Sequence, residues 1–406
     1  MGRGENTSGG NWISGSLSEP CRYSLPARTQ VVISDLPVVA QISQSQHRSI
    51  QPTPMNALIL IYLAAATQPR IETLPISPFA ISEDGSTVVG TTMRSSNNDA
   101  PENWQPAKWS RKTGVQRLNV GKFTEGTANS CSGDGKVVVG KVWNKTEVWV
   151  AVWYGLAKPV LVTQYSWKYQ PWDPSPIISG DGKWVVGSKE GRPFKWSLAT
   201  GSQFLPEVSG VGHFGCATAI SRDGQTITGF AIGKALPNVP SKGRHMLRDP
   251  DVEIRVCIWT RAGKGKLIPG VSGIWSFPSG ISSDGNTVVG NAWTHDRDTC
   301  FIWRRSGGTT KLRDFSNADP IAVHGLNPDG NRLFGACAGP SPKSNFIGTV
   351  WVDDRAVSLR NYFKTMRTVG VDKWSDLIVR STSANAKVWI GNGTTQDGVQ
   401  RNWILE

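Results

Sequence analysis

The most regularly placed carboxylates in this chain belong to a repeated turn. Asp-Gly recurs in six similar stretches, among them AISEDGSTVVG at residues 80–90 and GISSDGNTVVG at residues 280–290. The turn residues are Asp84, Asp134, Asp181, Asp223, Asp284 and Asp329, and a seventh stretch has Asn385 instead. Each turn offers one carboxylate, whereas calcium takes about six to eight oxygen ligands. Because Asp also hydrogen-bonds the backbone of tight turns, the sequence predicts turn-forming residues and no metal site.

The sequence lacks the histidine and nucleophile patterns that are typical of enzymes. None of the five His residues lies in an HExxH spacing, and no GxSxG, P-loop or dinucleotide-binding motif stands out. The sequence therefore predicts no catalytic residue and no cofactor. A polysaccharide-degrading enzyme, a lyase or glycosidase, stays an alternative, because connecting segments also contain titratable side chains. These are His213, His324, Asp319 and Glu125.

Aromatic and histidine side chains in the segments that join one repeat to the next form the candidate ligand site. Aromatic rings around a concave opening can stack on sugar rings or other planar ligands. The alternative is that these side chains pack against neighbouring repeats. The ligand-binding candidates are Trp167, Tyr169, Trp172, His213, Phe214, Trp275, Phe277 and His324.

The elements that must position these side chains are short strands. Asp-Gly between a small-residue run and a β-branched run predicts a hairpin, and a Gly closes each copy, where we expect a strand bend or a close backbone approach. A strand centred on Trp follows, as at Trp153 and Trp303, and then a further short strand. The turns recur every 42 to 61 residues. Four strands at this period are typical of propeller blades.

The two ends of the repeat array complement each other. The last repeat runs out at Trp403 to Glu406 and lacks a fourth strand, whereas Arg70 to Leu74 reads as an isolated strand. A strand at about 71–74 that completes the last blade would remove the open sheet edges. The sequence thus predicts an all-β fold, a seven-bladed β-propeller of four-stranded blades closed by the N-terminal strand. One short helix is predicted within residues 359–371.

Residues 1–67 differ from the repeats that occupy residues 70–406. Residues 1–54 are rich in Ser, Pro, Gln and Arg, which predicts either disorder or an upstream extension before an initiator at Met55. Residues 55–67 are an apolar run followed by small residues, the pattern of a signal peptide, and are too short to span a bilayer. If Met55 to Ala66 is a signal, the protein is exported to the periplasm, the cell surface or the medium. Otherwise it is a cytosolic propeller that binds protein partners.

Charge and cysteine content set weaker limits on function. The formal net charge is +13, which favours acidic partners such as acidic polysaccharides or is explained by solubility alone. The sequence does not favour a nucleic-acid partner, because no dense Lys/Arg run appears. The six Cys residues include no CxxC pair and are expected to be buried small hydrophobes. We expect a monomer.

The repeat pattern A/G-I-S-x-D-G-x-x-V-x-G, followed by a Trp strand and a Gly-x-x-Leu strand, resembles the HAF family of bacterial extracellular repeat proteins. The resemblance covers roughly residues 71–406, and Asn385-Ala386 departs from the family's turn. It implies an exported, propeller-like protein and supplies no catalytic residues. The hypothesis is a non-catalytic binding or scaffold module that holds glycans or a protein partner at the mouth of its channel.

Overall fold

The computed structural model describes residues 68–406 except 94–103, 166–174, 213, 236–251, 262, 272–274, 294–297, 316–319 and 342–343. All the described residues belong to one compact unit, residues 65–406. The expectations for residues 1–54 and 55–67 lie outside the described residues.

The described strands form seven four-stranded antiparallel units, here numbered 1 to 7 in chain order. Unit 1 contains β2 (Ser77–Ile81), β3 (Val88–Met93), β4 (Trp104–Ser110) and β5 (Gly114–Arg117). Unit 2 contains β6 (Glu125–Cys131), β7 (Val137–Trp143), β8 (Val148–Tyr154) and β9 (Val160–Tyr165). Unit 3 contains β10 (Ile177–Ile178), β11 (Val185–Lys189), β12 (Arg192–Ser197) and β13 (Gly201–Phe204). Unit 4 contains β14 (Gly215–Ile220), β15 (Thr226–Ala235), β16 (Val252–Thr260) and β17 (Lys266–Leu267).

The remaining units repeat this order. Unit 5 contains β18 (Trp275–Ile281), β19 (Thr287–Trp293), β20 (Asp298–Arg304) and β21 (Gly308–Lys311). Unit 6 contains β22 (Ala322–Leu326), β23 (Arg332–Ser341), β24 (Ser344–Val352) and β25 (Arg355–Ser358). Unit 7 contains β26 (Ile378–Thr382), β27 (Trp389–Thr394), β28 (Gln400–Leu405) and the N-terminal strand β1 (Ile71–Thr73). Helix α1 (Leu359–Thr365) and a 3₁₀ turn (Val371–Lys373) join units 6 and 7.

The units are arranged around an axis as a β-propeller. The first strand of each unit contacts the first strand of the next, and β26 of unit 7 contacts β2 of unit 1, so the innermost strands close a ring. A parallel bridge, Ile254 to Trp275, additionally links units 4 and 5. The predicted closing strand is present, because β1 pairs antiparallel with β28 and places Ile71 opposite Leu405.

Aliphatic and aromatic side chains fill the space between neighbouring units. One cluster joins Val89 of unit 1 to Trp153 of unit 2, and another joins Ile404 of unit 7 to Ile81 of unit 1. The Trp residues of the third strands belong to this core, and Trp153, Trp351 and Trp403 are fully buried. The predicted burial of cysteines is found for Cys216, Cys257, Cys300 and Cys337, whereas Cys131 is half-buried and Cys21 lies outside the described residues.

The turn carboxylates close their own hairpins, as the sequence predicts. In unit 2, Asp134 Oδ1 accepts hydrogen bonds from the Ser132 hydroxyl at 2.7 Å and the Lys136 backbone N–H at 3.1 Å. The Ser132 hydroxyl oxygen in turn accepts from the Val137 N–H. In unit 7, Asn385 Oδ1 accepts the equivalent bonds. The Asp side chain builds the turn in this way in five of the six Asp-Gly hairpins. In unit 6 the turn N–H groups donate to Asn327 Oδ1 and not to Asp329.

The Asp134 turn predicts that the free energy of unfolding decreases slightly at low pH. The Ser132 hydroxyl and Lys136 lower the pKa of Asp134 to about 2, below the unfolded value of about 3.9. The contribution of the ionised carboxylate is therefore present above pH 4 and is lost as the pH falls towards 2. Because the side chain is half-exposed, the effect is expected to stay below about 1 kcal/mol. Urea unfolding from pH 6 to pH 2.5 measures it.

The matched control for this prediction is Asp134→Asn, since Asn385 makes the same bonds without a charge. The difference in unfolding free energy between wild type and D134N should be constant above pH 5 and should change between pH 4 and 2. A difference that stays constant down to pH 2.5 would contradict the prediction.

Candidate functional site: the axial channel

A β-bulge in the innermost strand places one residue of each unit outside the hydrogen-bond ladder. The register shift occurs at the same point of the repeat in units 1, 2, 4, 5, 6 and 7. The bulged residue always lies five positions before the turn Asp or Asn. With the equivalent residue of unit 3, these axial positions are Phe79, Asn129, Pro176, Thr218, Ser279, His324 and Arg380. Because the innermost strand is the one nearest the axis, a residue released from its ladder lies close to the axis.

Three of the axial positions, in adjacent units, have large and exposed side chains. Phe79 of unit 1 is 41% exposed, and it is the only exposed residue of β2. His324 is likewise the only exposed residue of β22, and Arg380 of β26. We call Phe79, His324 and Arg380 the axial trio. Solvent therefore reaches the axis along one side of the channel.

Electrostatics link two members of the trio. Enclosure by the surrounding protein lowers the pKa of His324, and the positive charge of Arg380 lowers it further, whereas a hydrogen bond to the Val379 backbone acts in the opposite direction. His324 has solvent contact as well as enclosing walls, as expected for a side chain inside a narrow channel. Arg380 donates from Nε to Asn392 Oδ1 at 2.8 Å. Among the described residues no carboxylate pairs with Arg380.

The opposite side of the channel has short side chains. Asn129 is only 8% exposed and donates to the Ser175 hydroxyl at 3.1 Å. The Ser279 hydroxyl accepts a hydrogen bond from Asn291 Nδ2 at 2.9 Å. Thr218 is half-buried, and its hydroxyl oxygen is a buried atom. The side chains on this side of the axis are thus shorter than those of the trio.

At the hairpin end of the channel, hydrogen bonds connect all seven units in a closed circle, which we call the belt. The bonds span 2.7–3.2 Å and run between neighbouring turns. They join Asp84 N to Gly133 O, Gly133 N to Gly180 O, Asp181 N to Arg222 O, Arg222 N to Ser283 O, Ser283 N to Pro328 O, Asn327 Nδ2 to Ala384 O and Ala384 N to Glu83 O. Six donors are backbone N–H groups. The seventh is a side chain, because Pro328 has no N–H.

Glu83 extends across the axis inside this belt. Its Oε1 accepts a hydrogen bond from the Ser283 hydroxyl of unit 5 at 2.8 Å, and its Oε2 pairs with Arg222 of unit 4 at 2.6 Å. The Glu83 side chain is 15% exposed. A Cβ at Gly133 or Gly180 would meet its carboxylate, so these two glycines make room for it. The carboxylate therefore covers the hairpin end of the channel.

The aromatic residues predicted from the sequence are placed differently from one another. Phe214 is 50% exposed, just before β14. Phe277 packs edge-to-face on Phe230 at 5.1 Å and on Trp293 at 5.4 Å, and Trp275 packs against the same cluster. Of the sequence candidates, His324 alone is an axial position. Trp167, Tyr169, Trp172 and His213 lie outside the described residues.

Sequence reasoning missed Phe79 and Arg380, although a signal was available. The residue five positions before the turn differs in type in every repeat, while the frame around it stays nearly constant. The residue just before the turn Asp or Asn is also variable, and it includes Glu83 and Arg222. In a propeller, both positions lie at the axis, which is where the repeats are free to differ.

The alternative enzyme candidates do not form a described cluster. Asp319 and His213 lie outside the described residues, and Glu125 starts β6 as a half-buried residue. Within the described part of the chain no group of three or more His, Cys, Asp or Glu side chains could hold a metal ion. Among the same residues, no helix is long and apolar enough to span a membrane.

Comparison with solved structures identifies the fold. The β-propeller domain of the Trilobed protease from Pyrococcus furiosus, described as having an open velcro topology, aligns over 84% of this chain and 94% of its own with a TM-score of 0.53 and 10% identity. The fold is a β-propeller. Pyrococcus horikoshii acylaminoacyl peptidase aligns over 82% of this chain with a TM-score of 0.52 and 10% identity, and the alignment covers 51% of that chain.

These similarities show the fold and nothing further, because the sequence identity is only 10% in both comparisons. The Trilobed protease domain is described as having an open velcro topology. In this chain, by contrast, the N-terminal strand β1 pairs with β28 of the last unit. No protein-family model matches the sequence, and no curated protein matches it significantly.

Proposed function

We propose that this protein is a non-catalytic binding propeller whose ligand occupies the axial channel. The observation that carries the proposal is the axial trio, in which an aromatic ring, an imidazole and a guanidinium are exposed on the innermost strands of adjacent units. Arg380 has no described carboxylate partner. Exposed groups of this kind in a concave site are typical of ligand binding rather than of packing.

The repeat pattern supports the same proposal. Frame residues such as Ser132 and Asp134 build the turns in nearly the same way in six of the seven units, with Asn385 replacing Asp in unit 7 and unit 6 being the exception. The variation is concentrated at the axial positions and at the residue before the turn Asp or Asn. This variation on a constant frame supports the proposal that ligand recognition occurs at the axis.

Blocking the channel tests this proposal. Phe79 shows that an axial position accommodates a Phe side chain, so Ser279→Phe should fold while filling the polar side of the channel. A thermal-shift screen of the full chain against neutral and acidic oligosaccharides should give shifts for wild type that are lost in S279F. Phe79→Ala is the second variant, in case S279F unfolds, and should weaken the same shifts.

Three outcomes would count against the proposal. Equal shifts in wild type and S279F would place the ligand elsewhere, and no shift with any glycan would remove the glycan form of the proposal in favour of a protein partner. Shortening of an oligosaccharide during the incubation would make the protein an enzyme, the alternative function.

Export remains part of the proposal and follows from the resemblance to the HAF family and from the apolar run at residues 55–67. We propose that the mature chain begins after Ala66 and is monomeric. N-terminal sequencing of the native protein and its elution volume on gel filtration test these two points. A cytosolic protein that retains residues 55–66 would instead favour the cytosolic interaction propeller.

A further inference from the structure

We propose that the axial trio binds a hexuronate, the carboxylate-bearing sugar of acidic polysaccharides, at the end of a chain. This inference rests on the proposed function, because it names the ligand class of the same channel.

The cationic side of the channel can bind the carboxylate of the sugar. Arg380 is exposed on β26, no described carboxylate pairs with it, and its one described hydrogen bond uses Nε. The two terminal nitrogens of a guanidinium match a carboxylate in a bidentate arrangement. His324 lies beside it and reaches the Val379 backbone of the same neighbouring strand. The two groups thus give one anionic group a charged and a neutral hydrogen-bonding partner.

Phe79 offers an aromatic face on which the sugar ring can pack. Its exposed face lies on the strand next to the one that bears Arg380, because β2 contacts β26 across the closure of the ring. The C–H face of a pyranose packs on an aromatic ring, and this contact adds apolar burial to the charged one. An inorganic anion would use Arg380 but not Phe79.

The opposite wall favours a sugar over a peptide carboxylate. Asn129, Thr218 and Ser279 are short polar side chains, and the half-buried Ser279 hydroxyl, which accepts from Asn291, keeps its proton to donate to a sugar hydroxyl. The C-terminal residue of a peptide would instead need an apolar pocket for its side chain and N–H donors for its backbone. The axial position that is apolar on this side, Pro176, is buried.

The covered hairpin end sets the direction of entry. Glu83 closes this end with Arg222 and Ser283, so a chain cannot thread through the belt. The Glu83 carboxylate would also repel a second anionic group at this depth. A ligand must enter from the other end, and the trio then meets the terminal sugar.

The test is calorimetric titration of the full chain with trigalacturonate and with its neutral counterpart, galactotriose. Wild type should bind trigalacturonate, and galactotriose should bind about tenfold or more weakly. Arg380→Gln should lower the affinity for trigalacturonate by about tenfold or more, because it removes a charge-assisted contact, and should leave galactotriose unaffected. The matched control is Arg355→Gln, on the exposed end of β25, which should leave both affinities unchanged.

The outcomes separate this inference from the proposed function. If galactotriose binds as well as trigalacturonate and S279F still blocks both, the channel binds ligands but the hexuronate assignment is wrong. If R380Q and R355Q lost affinity for trigalacturonate equally, the loss would come from net charge alone, and the hexuronate inference would be overturned. Tighter binding of a tripeptide with a free C-terminal carboxylate would assign the trio to peptides. The absence of trigalacturonate binding would also overturn the inference, whatever the glycan screen shows.

Discussion

Replacing Gly140 by alanine is expected to destabilise the protein by about 4 kcal/mol or more, which is near the upper end for a single substitution. Gly140 closes the hairpin of unit 2, opposite the bulge of β6. A Cβ built there overlaps the carbonyl oxygen of Thr127. Since this atom belongs to the backbone of a bulged strand, it cannot move without disturbing the contacts of that strand. Urea unfolding followed by Trp fluorescence measures the change.

Two other glycines form a graded control series for this result. At Gly187 of unit 3 the nearest atom is a Phe194 ring carbon at 3.1 Å, so alanine should cost about 1–3 kcal/mol through overpacking. At Gly263 nothing lies within 4 Å of the added Cβ, and alanine should change stability by no more than about 0.5 kcal/mol. If Gly140→Ala were no worse than Gly263→Ala, the bulge would not be the reason for the glycine.

Replacing Asn327 by serine is expected to cost about 1–3 kcal/mol, even though serine occupies the equivalent position in the other six turns. The shorter hydroxyl side chain could still serve the local turn, where Asn327 Oδ1 now accepts from the Arg332 N–H. It could not reach Ala384, so the carbonyl oxygen that Asn327 Nδ2 contacts at 2.7 Å would lose its donor. The belt would then be broken between units 6 and 7. Thermal and urea unfolding measure the cost.

The double variant Asn327→Ser, Pro328→Ala tests the reason for this exception. Alanine restores a backbone N–H at position 328, which can donate to Ala384 as Ser283 N donates to Pro328 O at 2.7 Å. The double variant should therefore be more stable than N327S, while Pro328→Ala alone should have little effect. This is a coupling between neighbours that single substitutions do not reveal. A double variant no more stable than N327S would show that the belt bond contributes little.

Much of the fold could be predicted because each repeat encodes its own hairpin. Asp-Gly sets a tight turn locally, as Asp134 shows, and the β-branched run after it favours an extended strand. Closure by β1 was also predictable, since Thr73 and its neighbours were an unpaired strand and the last repeat had an unpaired edge. These features depend on residues close together in the chain or on a count of strands.

The candidate site was predicted only in part, and His324 illustrates why. Loop position suggested it, but the same reasoning selected Phe277, which packs on Phe230 of the neighbouring unit. Whether an aromatic side chain meets solvent or another unit depends on the rotation of one sheet against the next, which no local pattern records. Phe79 was overlooked because it lies inside a strand, where an alternating pattern alone cannot reveal a bulge.

The sequence by itself determined the repeating unit of this protein: the turn, the strand order within a unit, the Trp core and the closing strand. Short-range hydrogen bonding and side-chain burial decide these features, and both are visible in the spacing of residue types. Only the tertiary structure decided what the repeats do together. Glu83 lies about 200 residues from Ser283 in the chain, yet they meet at the axis. Contacts between such distant residues exist only once the ring has closed, because closure brings the variable residues of each repeat to a common axis.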